Sequence, residues 1–122
     1  METRIASNTD LDGIVATLSG AFEGDPLWGW AFPERRGMEA WWRLFAGSAL
    51  RYPFTRIAGD FDAVAVWIPP DGIELTEADE AAIGPLLEAH LGPRAAEVAD
   101  LVDRFEEHHP ETPHFYLSLL GT

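Results

Sequence analysis

The sequence has 122 residues, 47% hydrophobic and 24% charged, as expected for one globular domain. Its 21 acidic and 8 basic residues give a net charge of −13, which disfavours binding to nucleic-acid phosphates. Cysteine is absent, which excludes disulfides, thiolate catalysis and zinc fingers. The polar amino terminus resembles no targeting signal, and no apolar run is long enough for a transmembrane helix. We therefore expect a cytoplasmic protein that does not contact membranes.

Charge and aromatic residues are unevenly distributed along the chain. Residues 1–70 carry a net charge of −3 and residues 71–122 a net charge of −10, while all five tryptophans lie in the first 70 residues. An acidic surface attracts amines and polycations, although acidic helix faces also serve solubility alone. Clustered aromatic side chains fill a core or line an apolar ligand site.

The first half of the chain predicts a short strand and two helices. Residues 3–6 have strand character, and Thr9, with Asp12 three positions later, predicts the amino-terminal cap of a helix that ends near Ala21. The segment DPLWGWAFPE, residues 25–34, lacks helical periodicity and predicts an irregular loop in which Asp25 caps the following turn. Apolar residues at helical spacing then predict a second helix with one buried face: Met38, Trp41, Trp42, Phe45 and Ala49.

The middle of the chain predicts a β-hairpin. Residues 56–58 and 63–68 have strand character and flank a turn, GDFD. The second of these strands, AVAVWI, is almost wholly apolar, which predicts a central strand buried on both faces with Trp67 in the core.

The last third of the chain predicts two helices and a strand. Thr76 predicts a helix cap, Pro85 predicts a kink or break, and Gly92-Pro93 predicts a helix end followed by a new start. The final helix has an apolar stripe that includes Leu101 and Phe105, which we expect to be buried, and residues 114–120 predict a last strand. The element order is β-α-α-β-β-α-α-β, so the predicted fold class is α+β with a mostly antiparallel sheet of about four strands.

The last strand carries the candidate functional side chains. In a regular strand, Tyr116, Ser118 and Leu120 share one face, which we predict to line a cleft, and Phe115, Leu117 and Leu119 share the other. A tyrosine hydroxyl in a cleft can act as a general acid, although tyrosines in strands more often serve packing. The sequence contains no GxSxG, GxGxxG or GxxxxGK motif. His108, His109 and His114 lack the spacing of a chelating set, so we predict no metal site.

Three segments together resemble the GNAT-type N-acetyltransferases, and in particular the group that contains puromycin N-acetyltransferase. They are FEGDPLWGWAFPE, then AVAVWIPPDGIELTEADEAAIGPLLEAHLG, and finally HPETPHFYLSLLGT. With the sequence around them, the resemblance covers nearly the whole chain, roughly residues 4–122. It implies an N-terminal, acceptor-side portion of a GNAT fold, in one domain of residues 1–122. It also implies direct attack of a primary amine on acetyl-CoA without a covalent enzyme intermediate, which fits the lack of a nucleophile motif.

The resemblance also implies roles for individual residues. Leu120, Gly121 and Thr122 would contact acetyl-CoA beside the thioester, and Tyr116 and Ser118 are the candidate catalytic residues. The loop aromatics Trp28, Trp30 and Phe32, together with Tyr116, would bind an acceptor that is a small-molecule amine or a protein N-terminus.

The family's pyrophosphate-binding loop follows the strand at which this sequence ends, and it is absent here. We therefore expect this chain alone to be inactive and to bind acetyl-CoA weakly. The alternative is a natural half-length module of the same fold that binds or dimerises without catalysis. In either case the outer edge of the last strand should be paired, by a homo-oligomer or by a missing C-terminal half.

Overall fold

The computed structural model describes the backbone of residues 2–107 and 115–122 and the side chains of residues 2–104, 115 and 117–122. These residues form a four-stranded antiparallel sheet in the order β1-β2-β3-β4, together with five α-helices. The strands are β1 (Thr3–Ile5), β2 (Thr55–Ala58), β3 (Ala63–Ile68) and β4 (Tyr116–Gly121). The helices are α1 (Leu11–Phe22), α2 (Pro26–Ala31), α3 (Arg35–Ala49), α4 (Glu77–Leu91) and α5 (Ala95–Glu107). The predicted α+β class and antiparallel sheet are confirmed.

One face of the sheet is buried and the other is largely exposed. Burial alternates along β3, where Val64, Val66 and Ile68 are buried while the residues between them are partly exposed. Helices α1 and α3 pack against the buried face. The prediction that β3 is buried on both faces is therefore wrong, and Trp67 is only half-buried. The reason is that Ala63, Ala65 and Trp67 lie on the face opposite these helices, which we call the open face.

Two tryptophans of helix α3 lie in the core, in contact with aromatic rings from the end of α1 and from the α2 segment. Trp41 and Trp42 are each 1% exposed, and Met38 and Ala49 on the same stripe are also buried. Ring centroids of Trp42 lie 4.8 Å from Phe22 and 5.1 Å from Trp28, within the range of favourable aromatic pairs. The apolar face predicted for this helix is confirmed, with Phe45 partly buried at its margin.

Two helix starts differ from the predictions. The aromatic segment contains the short helix α2, because Asp25 Oδ2 accepts hydrogen bonds from the N–H groups of Leu27 and Trp28, both at 2.9 Å, and Pro26 occupies the first turn. The capping role predicted for Asp25 is confirmed. Before α1, the capping pair is Ser7 and Asp10, and Thr9 lies inside a 3₁₀ turn.

Helix α4 continues through Pro85 without a break. Its cap is the predicted one, since Thr76 Oγ1 accepts from Asp79 N–H at 3.1 Å. Pro85 leaves the carbonyl of Ala81 without its donor, and Ala81 is exposed, so water can reach that carbonyl. Gly92, with a φ of +56°, ends the helix as predicted. Leu101 in α5 is half-buried instead of buried, and the side chain of Phe105 lies outside the described residues.

Candidate functional site

Strand β4 pairs with β3 through a β-bulge. Val66 is opposite Leu119, but Trp67 is opposite Leu117, so Ser118 is an extra residue in β4. A bulge leaves one residue outside the regular ladder and redirects the side chains around it, and bulges are frequent beside functional sites. Ser118, a candidate catalytic residue from the sequence, therefore occupies the bulge position of this strand.

The bulge changes which residues of β4 share a face. Leu117 and Leu120 are 37% and 55% exposed and stand opposite Trp67 and Ala65 on the open face. Leu119 and Gly121 are buried on the helix side of the sheet. The predicted grouping of Leu117 with Leu119 on one face, opposite Leu120, is therefore wrong. The backbone of Tyr116 pairs with Ile68, and its side chain lies outside the described residues.

Ser118 contacts a carboxylate that sequence analysis did not single out. Its hydroxyl donates a hydrogen bond to Oε1 of Glu74, and both residues are half-buried. Ile73 N–H, next to Glu74, donates to the Tyr52 hydroxyl at 3.1 Å and so connects the segment before α4 to the turn that follows α3. The only sequence signal for Glu74 is its place between Pro69-Pro70 and the capping Thr76, which does not reveal the partner strand.

The residues assigned to acetyl-CoA contact end strand β4. Gly121 lies so close to α1 that an added Cβ would be 3.0 Å from Leu18 Cδ2 and 3.3 Å from Ala21 Cβ, a tight approach that favours glycine. Leu120 and Thr122 are exposed. Within the described ranges, β4 pairs on one side only, with β3, so the outer edge of these three residues is unpaired there. Their contact with acetyl-CoA stays a prediction.

The aromatic residues assigned to acceptor binding separate into two groups. Phe32 is 2% exposed, and Trp28 is half-buried with its ring centroid 6.0 Å from that of Trp41, so both belong to the core region. Trp30 is 44% exposed, and the Arg94 guanidinium lies 4.8 Å from its ring centroid. The role of these three residues in substrate binding stays a prediction.

A marked shift in ionisation lies away from β4, at the amino end of α1. The Arg4 guanidinium and the Ser7 N–H hydrogen-bond the Asp10 carboxylate, at 2.8 to 2.9 Å, and hold its pKa well below the usual range. The same ion pair raises the pKa of Arg4. This pair joins β1 to the first helical turn and has a structural role.

Metal binding and membrane spanning find no support in the described part of the chain. There, acidic and histidine side chains form no cluster of three or more that could bind a metal ion. The histidine segment considered above, residues 108–114, lies outside it. None of the helices described is both long and apolar enough to cross a bilayer. Comparison with models of known protein families and with curated proteins gives no match to this chain.

Proposed function

We propose that this chain is the acceptor-side portion of an acetyl-CoA-dependent N-acetyltransferase. The observation that carries the proposal is the bulge at Ser118 in strand β4, whose outer edge has no partner among the described strands. The three segments that resemble the GNAT family support it, because the bulge falls within the last of them. A strand with an open edge and an irregular ladder offers backbone groups to a substrate carbonyl.

In this proposal the residues around the bulge bind and orient the reacting groups. A primary amine attacks the acetyl thioester directly, so no nucleophilic side chain is required, and backbone N–H groups of β4 polarise the acetyl carbonyl. The C–N bond forms as the thioester C–S bond breaks, and the proton that the amine loses is taken up, directly or through solvent, by the departing CoA thiolate. Glu74, held against Ser118, is the carboxylate placed to bind the ammonium form of the acceptor. The acidic charge of the chain favours such cationic acceptors.

The test compares the 122-residue chain with a polypeptide extended by the residues that follow Thr122 in its reading frame. We expect those residues to include a glycine-rich phosphate-binding stretch. Titration calorimetry should show acetyl-CoA binding no tighter than about 10 μM for the short chain, about −7 kcal/mol. The extended polypeptide should bind more tightly and release free CoA thiol when primary amines are added. Failure of the extended polypeptide to acetylate any amine of a broad panel would refute the proposed activity.

Two matched variants of the extended polypeptide test the site itself. Glu74→Gln removes the charge beside Ser118, and we expect at least a tenfold fall in kcat/KM for the amine with acetyl-CoA binding unchanged. Glu88→Gln changes an exposed glutamate of α4 by the same chemistry and should leave both values unaltered. Equal effects of the two substitutions would show that Glu74 does not bind the acceptor.

A second candidate function is a non-catalytic dimerisation module of the same fold. It is favoured by the outer edge of β4, with which no described strand pairs, and by the exposed Leu117 and Leu120 beside it. This candidate predicts a dimer by light scattering and no acetyl transfer by the extended polypeptide. A monomer at high micromolar concentration would count against it.

A further inference from the structure

The open face of the sheet contains a pocket that the proposed reaction does not use. Its volume is about 310 Å³, at the lower end of the range for small-molecule sites. It is lined by Phe54, Arg56, Trp67 and Phe115. Three of these are aromatic residues and the fourth carries the only charge, so the lining is apolar apart from one cation.

The strand geometry explains why these four side chains meet. Arg56 in β2 is opposite Ala65 in β3, and Trp67 lies two residues further along β3 on the same face. Phe54 lies two residues before Arg56, and its ring meets that of Phe115 edge-on with a centroid distance of 5.2 Å. The aromatic rings therefore form the walls of the pocket, and the Arg56 guanidinium is attached to the adjacent strand.

Arg56 is one of four arginines to which no carboxylate of the described residues is paired, and it is the one that lines the pocket. Its Nε donates to Thr3 Oγ1 at 3.2 Å, which leaves its terminal N–H groups for another acceptor. By contrast, four arginines form ion pairs with acidic side chains: Arg4, Arg35, Arg43 and Arg104. Arg51 and Arg94 also lack a carboxylate partner, but their guanidinium groups donate to the main-chain carbonyls of Ile73 and Trp30. Among the described residues Arg56 has only the Thr3 hydroxyl, so its position beside aromatic walls points to an anionic ligand.

We propose that this pocket binds a small aromatic carboxylate. The flat ring of such a ligand would stack against Trp67 and the two phenylalanines, while its carboxylate accepts hydrogen bonds from Arg56. An aromatic amine would bring a like charge to the guanidinium and lose this contact. The net negative charge of the chain repels a carboxylate, but this repulsion is screened beyond about 8 Å at physiological ionic strength. The nearby Arg56 guanidinium therefore determines whether the pocket prefers a carboxylate or an amine.

The experiment uses three probes that share one ring system: 2-naphthoate, 2-naphthalenemethanol and 2-naphthylmethylamine. Binding to the 122-residue chain is measured by titration calorimetry and by the NMR signal of the Trp67 indole N–H, assigned from its loss in Trp67→Phe. We expect 2-naphthoate to bind at least fivefold more tightly than the alcohol or the amine and to shift the Trp67 signal selectively. These measurements do not involve acetyl-CoA, so they test the proposed pocket separately from the proposed function.

Substitution of arginine separates a specific contact from general charge. Arg56→Gln should abolish the preference for the carboxylate over the alcohol while binding of the alcohol stays the same. Arg36→Gln removes the same charge from an exposed position of α3 and should leave the preference intact.

Several results would overturn the proposal. They are equal binding of the three probes, an unchanged preference in Arg56→Gln, or signal shifts at tryptophans other than Trp67. A dimer by light scattering in which 2-naphthoate fails to shift the Trp67 signal would also overturn it, because a second copy would then cover the pocket.

Discussion

Replacing Trp42 with alanine should destabilise the protein far more than the same replacement of Trp67. Trp42 is 1% exposed and packs against the rings of Phe22 and Trp28. Trp67 is half-buried on the open face, where one side of its ring faces the pocket. The two substitutions remove the same atoms, so their difference reports burial and packing alone.

The magnitudes follow from the two environments. Truncating a fully buried tryptophan to alanine costs about 3 to 5 kcal/mol, because transfer free energy is lost and a cavity remains. For Trp67 we expect roughly half of this, about 1.5 to 2.5 kcal/mol, since part of its ring already contacts water. The free energy of unfolding of a domain of this size is about 5 to 15 kcal/mol, so Trp42→Ala removes a large fraction of it.

Urea unfolding followed by far-UV circular dichroism measures both changes without relying on tryptophan fluorescence. Trp42→Phe provides a variant that should fold, with a cost of about 1.5 kcal/mol or less. The phenyl ring of the new residue retains part of the stacking. The substitution also removes the indole N–H of Trp42, which is buried without an acceptor among the described residues. If Trp67→Ala were as costly as Trp42→Ala, the one-sided burial of the sheet would be refuted.

Four further substitutions test local features of the helices. Gly13→Ala in α1 places a Cβ 2.4 Å from the Phe61 ring and should lower the free energy of unfolding by about 1 to 3 kcal/mol. Gly20→Ala, in the same helix, has open space around the new Cβ and should raise the free energy of unfolding by about 0.5 to 1 kcal/mol. Thermal unfolding of the two variants measures the difference. Thr76→Ala removes the cap of α4 and should cost about 1 kcal/mol in urea unfolding, and an unchanged midpoint would contradict the capping bond. Because the Asp10 pKa is lowered on folding, its stabilising effect is complete above the unfolded-state pKa, near 4, and is lost as pH falls below it. The Asp10→Asn variant should therefore lose less stability than the parent between pH 5 and pH 2, and equal pH profiles would contradict the ion pair.

The sequence predicts features that depend on neighbouring residues along the chain. The stripe that includes Trp41 and Trp42, the β2–β3 hairpin and the Thr76 cap all follow from spacing within about 12 residues, and all three are confirmed. Helix α2 was missed because six residues give no period, although Asp25-Pro26 is a recognisable cap and first turn.

Other features depend on contacts between distant segments and so could not be read from the chain. Alanine tolerates both buried and exposed positions, so AVAVWI does not indicate whether one or two faces of β3 are covered. The bulge at Ser118 is a property of the β3–β4 register, which a single strand does not specify. The contact of Ser118 with Glu74 joins segments 44 residues apart in sequence.

The order of the strands also has a consequence for how the sheet forms and opens. Among the described strands, only β2 and β3 are joined by a short turn. The pairing of Thr3 with Ala58 and that of Ile68 with Tyr116 each close a loop of about 50 residues. Loop-closure entropy makes each of these outer pairings about 2 kcal/mol more costly than the hairpin. We therefore expect the hairpin to form early in folding and the outer strands to dock late.

The difference in stability between the β2–β3 hairpin and the outer strands should also hold within the native protein. Amide hydrogen exchange is expected to be slowest in the hairpin and faster in β4, which detaches through a partial opening of lower free energy than global unfolding. Strand β4 carries the bulge and Gly121, so the fraction of molecules with an intact candidate site is set by this local equilibrium as well as by global stability. Any molecule that pairs with the outer edge of β4 would raise exchange protection there first.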